Sequence, residues 1–351
     1  MKIETQNNIL KPERNLELDA LRGIAALMVM FFHFSMGRPE CQMGFKYGVS
    51  GVSLFFIISG FVIFKSIENT ENSNVFLRNR FGRLFPTYWT IVTFTYVLTL
   101  LYPHFNIGAP PSVGLTNYFG NLTMVQFYLG IPDLDGSYWS MIVELTFYFI
   151  IYLLILFKKT KYISDVGIPA TAAITILFFF KEENHTINQL FGYLPIVCQL
   201  PLFLAGISFY KIHSSNESKL KNILYLAILF ILQLILLHKQ YSDNSSFLTY
   251  NEHIVTLIIF YALFSLFVLN KLKFLVNKVT LFFGKISFAL YLIHQFISYY
   301  FIMPYAIDNL GVNFWVACFC ISLPIVVGLS TLITFYIEIP LSRMFKRKKI
   351  I

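Results

Sequence analysis

Leu18-Asp19-Ala20-Leu21-Arg22-Gly23 opens, and Phe32-His33-Phe34 closes, an apolar run over 16–36 that decides how the chain is read. Between Gly23 and Phe32 no residue is charged. About 20 residues at 1.5 Å each cross the roughly 30 Å hydrocarbon core of a bilayer. Reading outward from this run gives nine more, at 49–67, 84–102, 137–157, 163–180, 190–210, 221–238, 253–270, 281–303 and 313–337. The run at 163–180 is short and is interrupted by Pro169. The expected fold is all-α, a polytopic membrane bundle of about ten transmembrane helices in one domain over residues 1–351.

Composition agrees. Charged residues make up 13% of the 351 positions, against roughly 25% in soluble domains, so lipid must solvate much of the surface. The net charge of +9 has a distribution that points to membrane orientation. With the N-terminus placed in the cytoplasm and the spans alternating, 22 of the 27 Lys and Arg residues fall on cytoplasmic segments. That bias fits the positive-inside rule, requires an even number of spans and puts both termini in the cytoplasm. The basic tail from Arg343 to Lys349 reads as a topology anchor facing anionic membrane lipid, and no nucleic-acid partner is expected. The longest outer stretch, 103–136, has no Lys or Arg and reads equally as an interfacial element, a lid or a partly buried connector. Cys41, Cys198, Cys318 and Cys320 form no metal or redox motif, so no metal site is expected. No cleavable signal pattern is present, and the first span reads as a signal-anchor.

Ionisable groups inside spans are costly and point to function. Arg22 and His33 are eleven residues apart, which puts them on one face of the first helix about 16 Å apart along its axis. Arg22 also reads as a side chain snorkelling to the headgroups, and His33 as an interfacial histidine. Arg80 and Arg83 share a face if their loop is helical, and guanidinium forks suit phosphate oxygens; positive-inside bias is the plainer account. The Gly51, Ser53, Ser59 and Gly60 stretch reads as close helix packing. Glu144 lies about two turns inside the outer surface, at a depth similar to His33, where it would orient or charge an imidazole; a protonated structural Glu is the alternative. Ser287, Tyr291 and His294 recur on one face, with His294 either lining the same cavity or packing.

These residues resemble, in order and spacing, the acyltransferase family 3 integral membrane acyltransferases, which include O-antigen and other surface-polysaccharide O-acetylases. The resemblance covers most of the chain. It runs from Leu18-Asp19-Ala20-Leu21-Arg22-Gly23 with His33, through Leu54-Phe55-Phe56 with Ser59-Gly60-Phe61, Arg80 and Arg83 before Pro86 and Tyr88, and Trp139-Ser140 with Glu144 and Phe147-Tyr148. It ends on Gly284, Ser287, Tyr291, His294 and Glu338 with Pro340. Two departures are Asn79 where a paired arginine is common, and Ser53 where an Asp is frequent. The resemblance implies transfer of an acyl group, commonly acetyl, from cytoplasmic acetyl-CoA to a hydroxyl of O-antigen, capsule, exopolysaccharide or a lipid-linked sugar, in a bacterial inner membrane. It implies that Arg22, His33, Arg80 and Arg83 are essential; combined with the residue reading, Arg22, Arg80 and Arg83 are the expected acyl-CoA contacts and His33, helped by Glu144, the expected catalytic group, as general base or acyl carrier. Trp139, Ser140, Tyr291 and His294 are expected around the acceptor. No fused extracellular esterase-like domain, as some relatives carry, is expected. A polysaccharide or lipid-linked sugar transporter or flippase is the alternative, but no inverted repeat or matched pair of broken helices supports it. A non-catalytic assembly protein would have no use for a buried His and Glu.

Overall fold

Lipid offers the backbone no hydrogen-bond partners, so a chain this apolar must satisfy its peptide groups within each segment. The computed structural model describes residues 15–68, 70, 72–102, 113–214, 218–240 and 247–346, and among them every element is helical and no strand occurs. The basic N-terminal tail, residues 103–112 of the outer stretch and Arg347 to Lys349 of the basic tail lie outside the described residues.

In chain order the helices are α1 Leu16–Ser35, α2 Gly51–Ile67, α3 Ser73–Leu101, α4 Leu115–Leu122, α5 Trp139–Leu156, α6 Ile163–Phe179 and α7 His185–Gly192. There follow α8 Leu200–Ser214, α9 Lys219–Gln240, α10 Tyr250–Val268, α11 Lys278–Gln295, α12 Phe314–Val316, α13 Leu323–Ile333 and α14 Ile339–Lys346. The last three join through π-helical turns into one span over Phe314–Phe345, and π turns carry α11 on to Asn309. Among the described residues nine helices are long and apolar enough to cross a membrane, ten if α7 and α8 count as one bent span.

Three boundaries differ from the sequence reading. The span expected at 84–102 begins at Ser73, where the Asn72 side chain caps it by accepting from the Asn74 and Val75 amides. Hydropathy drops at the arginines, but the hydrogen-bonded helix continues through them, so Arg78, Arg80 and Arg83 sit on a membrane helix and not in a loop. The span expected at 190–210 is two helices bent by 70°, with Pro195, which has no N–H to donate, in the break. The span expected at 313–337 continues to Phe345, which carries Glu338 and Arg343 into the helix. Pro169 lies inside α6 without ending it.

Glycines allow several close backbone contacts in the bundle. A Cβ on Gly284 would lie 2.0 Å from the Asp19 carbonyl oxygen, and one on Gly23 would lie 2.4 Å from that of Thr280. Bare backbone against bare backbone lets α1 and α11 approach at this level. Ten residues on from each glycine, His33 meets His294, so the two helices run parallel and in register. Gly60 and Gly206 join α2 to α8 in the same way. Around this inner group, apolar side chains such as Leu100, Ile176, Ile231 and Leu332 are exposed, as a lipid-facing surface requires.

Candidate active site

Hydrogen bonding fixes the protons of the histidine pair. His294 Nδ1 is 2.8 Å from the Tyr291 carbonyl oxygen and 3.0 Å from that of Leu290. Both are acceptors, so Nδ1 carries the hydrogen and Nε2 is bare. That Nε2 accepts from His33 Nδ1 at 2.9 Å, and the same His33 N–H also points at the Val29 carbonyl oxygen, 2.9 Å away. His33 Nε2 is therefore the bare nitrogen at the end of the chain of bonds. An imidazole whose far nitrogen is tied to an acceptor is held in one tautomer and orientation, as a proton-transfer group requires.

The loop before α5 supports this pair. Asn121, fully buried, holds the loop closed by donating to the Pro132 carbonyl oxygen at 3.0 Å and accepting from the Leu134 amide at 3.0 Å. Asp135 then reaches α11. Its Oδ1 accepts from the Ser137 amide at 2.8 Å and its Oδ2 from the Phe296 amide at 3.0 Å. Phe296 is where α11 widens into a π turn, two residues past His294. Helix distortions of this kind are frequent at functional sites. Burial pushes the Asp135 carboxyl up to about 6, partly offset by the Ser137 and Phe296 amides. Sequence reasoning passed over Asp135 because it lies in an irregular stretch with no helical period; an Asp between apolar residues just before Trp139 was the available signal.

Toward the other end of α1 a cavity of about 60 Å3 is lined by Arg22, Arg83, Ser59, Glu144, Ser140 and Tyr291, among others. Arg22 pairs with Asp19 at 3.5 Å. Arg83 lines the same cavity as Glu144. Arg80 lies over the rings of Phe76 and Tyr148, at 5.4 and 5.6 Å, and donates to Ser66 Oγ at 3.1 Å. Its buried Nε has no hydrogen-bond partner among the described residues. Three guanidiniums thus gather near one cavity, with one fork still holding an unused donor. That donor set fits phosphate oxygens. The cavity itself has room for only a water or two, so a ligand chain entering it must displace the rings of Phe55, Phe56 and Phe288 that line it.

Of the residues expected at the site, Arg22, Arg83, Glu144, Ser140 and Tyr291 line this cavity, and Arg80 sits beside it. Ser140 and Tyr291 share a hydrogen bond of 2.7 Å. His33 and His294 do not line the cavity; they lie one step further along α11, with the Tyr291 ring 5.9 Å from that of His294. Two of the expected residues do not join the others as the sequence reading had them. Glu144 accepts from the hydroxyls of Ser59 and Tyr148, and the group on His33 is His294 instead. Glu144 does not reach His33, because α11 and not α5 packs along α1. Trp139 is 41% exposed, packs edge-on to Phe56 and does not line the cavity, whereas the next residues Ser140 and Met141 do.

The many-spanned helical chain thus holds a tautomer-fixed histidine pair near one end of two parallel helices and arginines near the other. Residues 15–334 match the family model described as an acyltransferase domain, and the chain belongs to acyltransferase family 3. It is 24% identical over 275 residues to a protein of Acidianus two-tailed virus named as a candidate acetyltransferase, ORF330, covering 78% of this chain and 80% of that one. It is 28% identical over 155 residues to the acyltransferase MdmB of Streptomyces mycarofaciens, covering 39% of each. Nodulation protein 10 of Rhizobium leguminosarum bv. viciae is 27% identical over 157 residues, 37% of this chain and 41% of the relative. No solved structure matches the chain.

Proposed function

We propose that this acyltransferase moves an acetyl group from a coenzyme A thioester to a hydroxyl of a cell-surface or lipid-linked saccharide. The observation that carries the reading is the bond from His33 Nδ1 to His294 Nε2, which leaves His33 Nε2 as the free acceptor. In this reading Arg22, Arg80 and Arg83 take the phosphates at the cytoplasmic mouth, and the thioester arm runs along α1 toward the histidines. His33 Nε2 takes the hydroxyl proton while the oxygen attacks the thioester carbonyl. The new C–O bond forms, the C–S bond breaks, and the proton passes from His33 to the departing thiolate. His294 steadies the transient imidazolium, since a hydrogen bond from a charged donor is roughly twice as strong as a neutral one. The Tyr291 and Ser140 hydroxyls are bonded to each other and to the Ser137 carbonyl oxygen, and would have to give up one of these bonds to donate to a carbonyl oxygen gaining charge. The saccharide would be O-antigen, capsule, exopolysaccharide or a lipid-linked sugar, and the setting a bacterial inner membrane with both termini in the cytoplasm. The names of the acyltransferase relatives support acyl transfer.

The test uses membranes containing the wild type or His33→Ala at equal protein, radiolabelled acetyl-CoA and a glycan-bearing extract. Label should enter base-labile ester on the glycan with the wild type alone. Wild-type-like labelling by His33→Ala would remove His33 from the chemistry.

A further inference from the structure

A second pocket, of about 580 Å3, opens at the His33 end of α1. Its walls include Phe34 and Met36, the first and third residues past His33, so it lies within one turn of the histidine pair. Gly37, at φ 78, ends α1 in a left-handed turn and brings Arg38 round to the rim. There Arg38 grips Asp308 with both arms of its fork, Nη1 to Oδ1 at 3.2 Å and Nη2 to Oδ2 at 2.9 Å. The opposite wall comes from the π turns after α11, with Tyr299 and Tyr300, and from Tyr102 at the end of α3.

From this arrangement we infer a saccharide-binding site, in which one pyranoside ring of the acceptor lies between the tyrosines and the Arg38–Asp308 pair. The inference rests on the acyltransferase reading for its purpose, but its chemistry is local. Tyrosine offers an apolar face for the C–H side of a sugar ring and a hydroxyl for its edge. Among the described residues no hydrogen bond takes up the hydroxyls of Tyr102, Tyr299 or Tyr300. Arg38 spends two of its five N–H donors on Asp308 and keeps three; the carboxylate keeps acceptor positions, and Asn309 adds one donor-acceptor group. A neutralised ion pair gives no net attraction to an anionic headgroup, and a purely apolar chain would leave these groups unsatisfied. A ring bearing several hydroxyls, each both donor and acceptor, uses all of them. The size falls within the range of about 300–1,000 Å3 typical of small-molecule sites. The same ring chemistry occurs in a free polymer and in a lipid-linked sugar.

The experiment uses the full chain in lipid nanodiscs free of sugar-headed detergent. Saturation-transfer NMR reports binding of a panel of methyl hexopyranosides, and a separate binding assay reports coenzyme A. At least one pyranoside should give ring-proton signals with the wild type. Tyr299→Ala, Tyr300→Ala and Asp308→Asn should each weaken its binding by about tenfold or abolish it, with coenzyme A binding kept as the sign of an intact bundle. An octyl glycoside competing more strongly than its methyl counterpart assigns a lipid-linked sugar, and equal competition assigns a polymer unit; both support the site. No signal from any pyranoside, or wild-type signals in all three variants, overturns it while leaving acyl transfer standing. Loss of coenzyme A binding in the wild type, with pyranoside binding intact, would instead overturn the donor reading alone.

Discussion

Replacing Gly284 by alanine should disable the histidine pair without touching either histidine. The added Cβ would sit 2.0 Å from the Asp19 carbonyl oxygen, and contacts under 3.0 Å do not persist. The obstacle is backbone, so no side-chain rotation relieves it, and α1 and α11 must separate by about 1 Å. Gly23 opposite is clamped in the same layer, which limits relief by tilting. Carried along to the histidines, that shift stretches the present 2.9 Å bond to about 3.9 Å, beyond hydrogen-bond range. His33 then loses its partner on α11 and keeps only the Val29 carbonyl oxygen of its own helix, and a 1 Å misplacement costs about 10²-fold in rate. Overpacking should also lower stability by about 1–3 kcal/mol, so the protein must be quantified in the membrane. The assay is acetyl transfer at saturating acetyl-CoA, normalised to inserted protein. Gly328→Ala is the control, since nothing lies within 4 Å of a Cβ there. A Gly284→Ala enzyme within about twofold of the wild-type kcat would refute the claim that this contact holds the pair in place.

Other outcomes follow from the same geometry. His294→Ala should lower kcat by about 10²-fold, and His294→Gln, whose carbonyl oxygen still accepts from His33 Nδ1, should recover part of it; equal losses in the two variants would count against an acceptor role. Arg83→Lys exchanges a fork for a point charge and should raise KM for acetyl-CoA by about tenfold with kcat little changed, as initial rates across donor concentration will tell. Burial raises the Asp135 carboxyl from 3.8 to about 6, so between those pH values the folded chain holds a proton that the unfolded chain releases. Its contribution to stability therefore grows as pH falls through that window, and the Tm of the wild type relative to Asp135→Asn should rise from pH 7 to pH 4.5; a constant difference would refute the assignment.

The spans were legible because hydrophobicity is a property of each segment alone, and lipid enforces it. What stayed hidden depended on which segments are neighbours. Asn72 as a helix cap, and the continuation of α3 through Arg78, Arg80 and Arg83, escaped a reading by hydropathy because charge ends an apolar run without ending a helix. Counting from the span ends puts Glu144 at a depth similar to His33, yet such a count does not say which helices touch, and Glu144 lies at the cavity with Arg22 and Arg83. The Ser287, Tyr291 and His294 face was visible as a period, and the structure uses Tyr291 and His294 in adjoining places, one at the cavity and one on His33.

The feature that joins these observations is the parallel pairing of α1 with α11. Hydrophobic pattern cannot specify it, because either helix would be equally soluble against any other apolar face in lipid. Small residues can: Gly23 and Gly284 make this the one approach among those two helices where backbones nearly touch. Once the glycines fix the register, the histidines ten residues on must meet, and Asp135 secures the point where α11 leaves regular geometry. The same register holds Arg22 one residue before its glycine and His33 ten after it, so one packing contact sets both the arginine end and the histidine end of the site. Substitutions at the glycines should therefore disturb donor binding and proton transfer together, whereas substitutions at Arg83 or His294 should separate them.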